Sequence, residues 1–356
     1  MTIASIVGAR PQFIKAAPLL RAIAQRHRSA LIHSGQHYDA PMSDVFFREL
    51  GLPAPDVHLN VGSQPHGAQT GAMLIALEPA LTDAKPDWVV IYGDTNTTLA
   101  GALVASKLGI PLAHVEAGLR SFNRRMPEEI NRLVADTLAD LRFCPSGAAV
   151  ANLSDEGITR GVHRAADTMI DVLAESASRA KISSTILDRA GLKEKQFVLA
   201  TIHRAENTDD AARLKGIVDG LSRAGETVVW PVHPRTRRAL AAAGVSSAVG
   251  ATVTLIDPLG HLDMVRLESA ARVIVTDSGG VQKEAYWLGV PCVTVRDETE
   301  WVETVQAGWN TLVAADGDAI VAAIGRAAAG SPRLPLYADG LSADGIVRCL
   351  EEARPQ

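Results

Sequence analysis

Short β-branched runs that end in Gly, Asp, Ser or His alternate along this chain with longer Ala- and Leu-rich segments of helical period, the pattern of βα units feeding a parallel sheet. In the first half the strand runs are Thr2–Val7, Ser29–His33, Trp88–Tyr92, Pro111–Val115 and Leu141–Cys144. Helical patterns separate them at Pro11–Arg26, Pro41–Leu50, Gly67–Thr82, Thr95–Lys107 and Pro127–Ala139. The second half repeats the theme, with strands Phe197–Thr201, Thr227–Val232, Thr252–Leu255, Val273–Thr276 and Cys292–Val295. Its helices are Asp209–Leu221, Arg235–Ala243, Gly260–Ala270, Gly280–Leu288 and Asp318–Ala329. Between the halves, Glu156–Gln196 is weakly periodic apart from Thr168–Ser178. The expected fold is α/β, with two doubly wound Rossmann-like domains at 1–168 and 169–340. The amphipathic stretch Asp344–Glu352 makes 341–356 a C-terminal helix expected to return to the first domain. Doubly wound sheets take ligands outside the carboxyl ends of their strands, so a cleft between the two domains is the expected site.

A length of 356 residues suits two domains, and 47 % apolar with 21 % charged residues excludes a disordered or low-complexity chain. The formal net charge of −5 offers no basic field for nucleic acid or an anionic membrane, so neither partner is expected. Cys144, Cys292 and Cys349 are isolated, which fits neither a disulfide framework nor a thiolate metal site. With no basic region ahead of Ile3–Val7 and no apolar run of the roughly 20 residues that span a bilayer, the expected location is cytoplasmic. His33 and His37 lack the helical spacing of a zinc motif, so no metal is expected. No GxGxxG follows a strand and no GxxxxGK[ST] occurs, so no nucleotide cofactor is expected either.

The informative residues lie where strand runs end. Gly8-Ala9-Arg10-Pro11-Gln12 opens the first helix with Pro11 at its first position. A tight turn accounts for Gly8 alone, but Arg10 and Lys15 add two cations where helix N–H groups and dipole already favour an anion. Thr276-Asp277-Ser278-Gly279-Gly280 joins a strand to a helix. A Ser cap explains Ser278, whereas paired glycines let backbone N–H groups approach a diphosphate, with Glu284 one turn further on. Gly93-Asp94-Thr95, His114-Val115-Glu116 and Met126-Pro127-Glu128 are each explicable by capping or by the helix dipole. Together they place Asp94, Glu116 and Glu128 on one rim, where burial and like charge can separate pKa values into an acid and a base. His203-Arg204 ends the first strand of the second half, a pairing suited to phosphate binding and proton handling.

GARPQFIKA (8–16), GDTNTTLAG (93–101), HVEAGLRS (114–121), MPEEINR (126–132), HRAEN (203–207), TDSGGVQKEA (276–285) and VRDETEW (295–301) resemble, in this order, the motifs of the non-hydrolysing UDP-N-acetylglucosamine 2-epimerase family. The resemblance runs from residue 2 to about 313 and is weak over 172–195 and 314–356. It implies a glycosyltransferase-B-like fold, a homodimer, a UDP-sugar substrate, no cofactor, and anti elimination of UDP through a bound glycal. By matching motifs, Asp94, Glu116 and Glu128 become the acid/base set at C2 and His203 assists departure of UDP. Arg10, Ser278 and Gly279 would hold phosphates, Glu284 the ribose, and Leu259–His261 the uracil edge. Lys15, Gln36, His37, Arg132, Arg204, His233, Leu259, Gly260, Gly280 and Arg296 complete the implied substrate contacts. The family usually has Gly where Ala166 stands in Ala165-Ala166-Asp167, which matters only where φ is positive.

Two other classes compete. A glycosyltransferase shares the fold and the diphosphate site but needs at most one base, and a UDP-sugar-binding regulator needs none of the carboxylates. Within the family, GARPQFIKA, SGQHYDAPMSDVFFRELG (34–51), RSFNRRMPEEINR (120–132) and DETEWVE (297–303) look like the branch acting on UDP-2,3-diacetamido-2,3-dideoxyglucuronate. The extra carboxylate of that sugar requires a cationic partner, for which Arg124 and Arg125 are available.

Overall fold

A computed structural model describes residues 1–36, 47–245, 252–328 and 333–353; the side chains of Arg10 and Asp171 lie outside that description. The expected helix over Pro41–Leu50, the site residue His37 and the end of Asp318–Ala329 therefore fall wholly or largely outside the described residues. The chain divides into two compact units, Met1–Val172 with Tyr337–Gln356, and Leu173–Leu336.

In unit 1, strands β1 (Thr2–Val7), β2 (Arg28–His33), β3 (Val57–His58), β4 (Trp88–Tyr92), β5 (Leu112–Val115), β6 (Leu141–Cys144) and β7 (Val162–Arg164) form a parallel sheet of order β3-β2-β1-β4-β5-β6-β7. Helices α1 (Arg10–Ala24), α2 (His66–Ala84), α3 (Asn96–Lys107), α4 (Pro127–Leu138) and α5 (Gly147–Asp155) make the crossovers. Trp88–Tyr92 is buried at every position, as a central parallel strand covered on both faces must be, which is why it reads as a continuous apolar run. Its Val89 and Ile91 pack with Ile6, Ile32, Met73, Leu77 and Ala102 in one core cluster.

Helix α6 (Met169–Ser183) carries the chain into unit 2. There α7 (Ile186–Arg189), β8 (Val198–Thr201), α8 (Ala205–Thr208), α9 (Ala211–Ser222), β9 (Val228–Pro231), α10 (Pro234–Ala242), β10 (Val253–Ile256), α11 (His261–Ala270), β11 (Val273–Thr276), α12 (Gly279–Leu288), β12 (Cys292–Thr294), α13 (Val302–Gln306), β13 (Asn310–Leu312) and α14 (Gly317–Arg326) follow in turn. The sheet order is β10-β9-β8-β11-β12-β13, again all parallel. Alternation along β8 sends Val198 and Ala200 into one core with Trp230, Ile217 and Ile320, and Leu199 into the other with Val229 and Ile274.

The last helix, α15 (Ala343–Glu352), belongs to unit 1 and packs on α1, and in the turn after α1 His27 meets Glu351 at 2.8 Å. The segment leading to it is tied by Ala166 N to Leu341 O at 2.9 Å and Asp167 N to Tyr337 O at 2.8 Å. Ala166 is absent from the residues with positive φ, so its methyl group brings no strain in place of the family's usual Gly. Among the described residues no helix is long and apolar enough to cross a membrane.

Both sheets share the order in which the connection direction reverses beside the first strand, between β1 and β4 in unit 1 and between β8 and β11 in unit 2. Ligands of doubly wound sheets sit at the carboxyl ends of those strands, and there the chain carries Gly8 and Asp94 in one unit, His203 and Ser278 in the other.

Candidate active site

In unit 1 the turn after β4 brings Asp94 to Arg132, whose Nη1 lies 2.7 Å from Asp94 Oδ2. Asn131 Nδ2 donates to Asp94 O at 2.9 Å, so two consecutive residues of α4 hold this turn. Glu116 follows β5 in a left-handed backbone, φ 71, and its Oε2 is 2.6 Å from Lys15 Nζ on α1. Gly93 permits that approach: a Cβ there would lie 3.3 Å from both Glu116 Oε2 and Lys15 Nζ. Burial raises the Asp94 pKa; Arg132 and Lys15 oppose the shift, while Glu128 and Glu116 add to it. The three carboxylates and two cations therefore share one electrostatic neighbourhood.

A second set of groups fixes this rim from beneath. Buried His114 offers Nε2 to Gly93 O at 2.7 Å and Nδ1 to Asp136 Oδ1 at 2.7 Å. Asp136 also accepts from Arg120 Nη1 at 2.7 Å and Gly118 N at 3.1 Å. Burial alone would raise the Asp136 pKa, but His114 and Arg120 outweigh it and hold the carboxyl below its usual range.

In unit 2 the corresponding strand ends are organised by Asp277, which has no exposed side-chain surface. Its carboxylate accepts from His203 N at 3.1 Å, Arg204 N at 3.0 Å and Asn207 Nδ2 at 3.1 Å. The His203 ring is left half-exposed, its Nδ1 3.4 Å from Asp277 Oδ1. Ser278 caps α12, its Oγ accepting from Val281 N. A family model described as UDP-N-acetylglucosamine 2-epimerase matches residues 21–351, which take in the residues of both strand-end clusters apart from Lys15. The chain belongs to the UDP-N-acetylglucosamine 2-epimerase family.

Members of this family are carbohydrate epimerases. A UDP-N-acetylglucosamine 2-epimerase homolog of Methanococcus maripaludis is 49 % identical over 90 % of this chain and 91 % of its own. The UDP-2,3-diacetamido-2,3-dideoxy-D-glucuronate 2-epimerase of Pseudomonas aeruginosa is 48 % identical over 90 % of each. Among solved structures, the Methanocaldococcus jannaschii UDP-GlcNAc 2-epimerase in complex with UDP-GlcNAc and UDP superposes with a TM-score of 0.94 at 41 % identity, over 99 % of this chain and 100 % of that one. The fold is thus the glycosyltransferase-B-like α/β architecture of these epimerases.

Several residues that the family resemblance offers as substrate contacts are already engaged within the protein. Lys15 is paired with Glu116 at 2.6 Å. The N–H groups of Gly8 and Ala9, expected to be open at the start of α1, donate to Gln12 Oε1 at 2.8 and 3.1 Å. Gln36 Oε1 accepts from Thr97 N and Oγ1 at 3.0 and 2.7 Å and closes a loop. Arg132 divides between Asp94 and Glu129, which makes it a positioning residue for Asp94. Arg296 is buried, with Nη1 2.8 Å from Glu300 Oε2.

Other residues named by the resemblance have a structural role of their own. His233 caps α10, and Gly260 stands at the N-cap of α11 beside Leu259. His261 is buried against Ser176 Oγ at 2.8 Å, with burial lowering its pKa to about 4. Gly279 is required by Trp301, whose Nε1 would lie 3.1 Å from a Cβ, while Gly280 has only Ser278 Oγ at 3.8 Å. Glu284 sits buried in α12 behind them, and Arg204 supplies its backbone N–H to Asp277. Glu128, in the first turn of α4, is half-exposed toward Asp94's surroundings. Sequence reasoning missed Gln12, His114, Asn131, Asp136 and Asp277, although each lies inside or just beyond a motif quoted for its neighbours.

Proposed function

We propose that this protein is a non-hydrolysing epimerase that interconverts UDP-N-acetylglucosamine and UDP-N-acetylmannosamine. The carrying observation is the mutual electrostatic contact of Asp94 with Glu116, Glu128, Lys15 and Arg132 at adjacent strand ends, because inversion at C2 needs a base and an acid within reach of one carbon. One carboxylate of the set removes the C2 proton while the C1–O bond breaks; the C–H electron pair becomes the C1–C2 double bond, and UDP leaves with the C–O pair. Re-addition reverses the flow: a UDP oxygen attacks C1 and a protonated member of the set delivers a proton to the other face of C2. The C2 hydrogen is not acidified by a carbonyl, so stabilisation of the departing diphosphate must supply much of the barrier lowering. His203, Arg10, Ser278, Gly279 and Gly280 are the groups proposed to bind and stabilise it, with Glu284 on the ribose and Leu259–Gly260 on the uracil. We expect the enzyme to work in the cytoplasm as a homodimer, without cofactor.

One specific observation favours a second reading. The 48 % identity to the diacetamido-glucuronate epimerase stands beside the 49 % identity to the M. maripaludis homolog, and Arg124 and Arg125 are exposed next to the first turn of α4. Those cations suit a sugar carboxylate.

The test of the shared chemistry is turnover in D₂O with product NMR. Deuterium is expected at C2 of both epimers. Asp94→Asn, Glu116→Gln and Glu128→Gln are each expected to lower kcat by about 10²–10⁴-fold, the scale for positioned acid and base groups. Protium retained at C2, or all three variants within tenfold of wild type, overturns the reading.

A further inference from the structure

Joined to Asp94 through Glu129 and Arg132, the fold holds an aromatic residue in a backbone conformation that its type disfavours. Phe122 has φ 60, and its side chain is 76 % exposed. A bulky residue in the left-handed region is a genuine outlier, and here no burial of the ring offsets the strain. The conformation is imposed by Glu129, itself buried, whose Oε1 accepts from Phe122 N at 2.9 Å and whose Oε2 accepts from Ser121 N at 2.9 Å and Ser121 Oγ at 3.1 Å. The same Oε2 lies 2.8 Å from Arg132 Nη2, and Arg132 Nη1 lies 2.7 Å from Asp94 Oδ2. One buried carboxylate therefore sets both the Phe122 turn and the cation that orients Asp94. Burial alone would raise the pKa of Glu129, but the Ser121 N–H and Arg132 outweigh it, so the anchor stays ionised where the enzyme works.

A strained and uncovered ring whose backbone is pinned by the same carboxylate that holds the Asp94 partner Arg132 is the arrangement expected of a surface that something else covers. Its chemistry narrows the choice. A phenyl face carries no charge or hydrogen bond for a diphosphate, but it packs well on the C–H face and acetamido methyl of an amino sugar. The geometry points to Phe122 as a substrate-binding residue that covers the apolar face of the 2-acetamido sugar next to Asp94; this rests on the epimerase reading given above.

The experiment compares wild type with Phe122→Tyr, Phe122→Ala and Phe122→Gly, measuring kcat, KM, Tm and calorimetric affinity for UDP and for UDP-N-acetylglucosamine. Tyr keeps the ring and is expected to stay within about threefold of wild type in kcat/KM, whereas Ala and Gly lose about tenfold or more. Gly also relieves the positive φ, so its Tm rises while its kcat/KM falls, a divergence that a merely structural role does not produce. UDP affinity stays within about twofold throughout, because the ring meets the sugar and not the nucleotide. Four results overturn the proposal: Ala and Gly variants with wild-type kcat/KM, loss of UDP affinity in step with the sugar nucleotide (stacking on uracil), a Gly variant whose Tm and activity fall together, or unchanged kinetics with altered oligomeric mass, which assigns the ring to a contact between copies. Wild type that neither binds nor turns over UDP-sugars overturns the epimerase reading itself, and the proposal with it.

Discussion

Lys15 Nζ lies 2.6 Å from Glu116 Oε2, and both side chains are nearly buried, at 11 % and 8 % exposure. The pair joins the first turns of α1 to the strained residue that follows β5, whose φ of 71 the surrounding contacts must hold. Its first consequence concerns stability. Removing one member of a buried pair leaves an uncompensated charge, so Lys15→Met is expected to destabilise the protein by about 3–5 kcal/mol in urea unfolding. The double variant Lys15→Met/Glu116→Gln should recover most of that loss, since it removes the stranded charge as well. A double variant no more stable than Lys15→Met alone would show that the lysine acts through packing and not through the ion pair.

Asp94 gives a signed electrostatic prediction. Its pKa is raised by burial, lowered by Arg132 and raised again by Glu128, so the two neighbours should move it in opposite directions. In a carbon-13 NMR titration of the labelled Asp94 carboxyl, Arg132→Gln shifts the midpoint upward and Glu128→Gln shifts it downward. Equal midpoints in both variants would place Asp94 outside the shared neighbourhood.

How far the sequence foretold this arrangement depends on the range of the interaction. The long apolar strands and their helices were legible because a parallel sheet covered on both faces writes continuous runs such as Trp88–Tyr92. The strands at or near the sheet edges, Val57–His58, Val162–Arg164 and Asn310–Leu312, were not, being too short to carry a period. At the strand ends the motif residues were identifiable, but their partners were not. Gln12 bonds Tyr92 O at 2.9 Å and Asp136 bonds His114, contacts between a helix and a strand distant in sequence that local spacing does not encode. For the same reason the carboxylate partners of Lys15, Arg132 and Arg296, which are Glu116, Asp94 and Glu300, could not be read from local spacing.

Asp136 contributes to the acid dependence of unit 1. Its folded-state pKa is below the ordinary carboxylate value, so the contribution is fully present above the unfolded pKa of about 3.9 and is lost as pH falls through the lower folded value. Asp136→Asn is expected to cost about 3–5 kcal/mol at pH 7, because Arg120 and His114 lose a buried charged partner. Its stability should also fall less than that of wild type as pH drops below about 4. Unfolding curves at a series of pH values check both statements; parallel pH dependence in the two proteins would deny Asp136 this role.

Asp277 holds the His203 and Arg204 backbone in place, with Asn207 as a third donor. Asp277→Ala leaves those donors without their acceptor, at a cost of about 1–3 kcal/mol each if they stay buried. The expected functional result is a Kd for UDP raised by about tenfold, because His203 then loses its fixed approach to the diphosphate. Calorimetry with UDP reads this directly. An unchanged Kd in a folded variant would separate the Asp277 turn from nucleotide binding.

The choice of sugar turns on charge. A carboxylate at C5 brought into a partly desolvated site needs a cation, whereas the hydroxymethyl group of N-acetylglucosamine does not. Arg124 and Arg125 are exposed, and the Arg125 N–H is fixed by Asn123 Oδ1 at 3.1 Å, which orders the backbone without engaging the guanidinium. For a UDP-N-acetylglucosamine epimerase, kcat/KM should favour that nucleotide over the diacetamido uronate, and Arg125→Ala should leave its turnover within about threefold of wild type. A preference for the uronate above about 100-fold corresponds to roughly 2.7 kcal/mol of transition-state discrimination, the size expected of a charge-assisted contact. If that preference is found and Arg125→Ala abolishes it, the substrate is the uronate and the exposed arginine is its reader. Arg124→Ala serves as the internal control, since a general loss of positive charge would affect both variants alike while a specific contact would single out one.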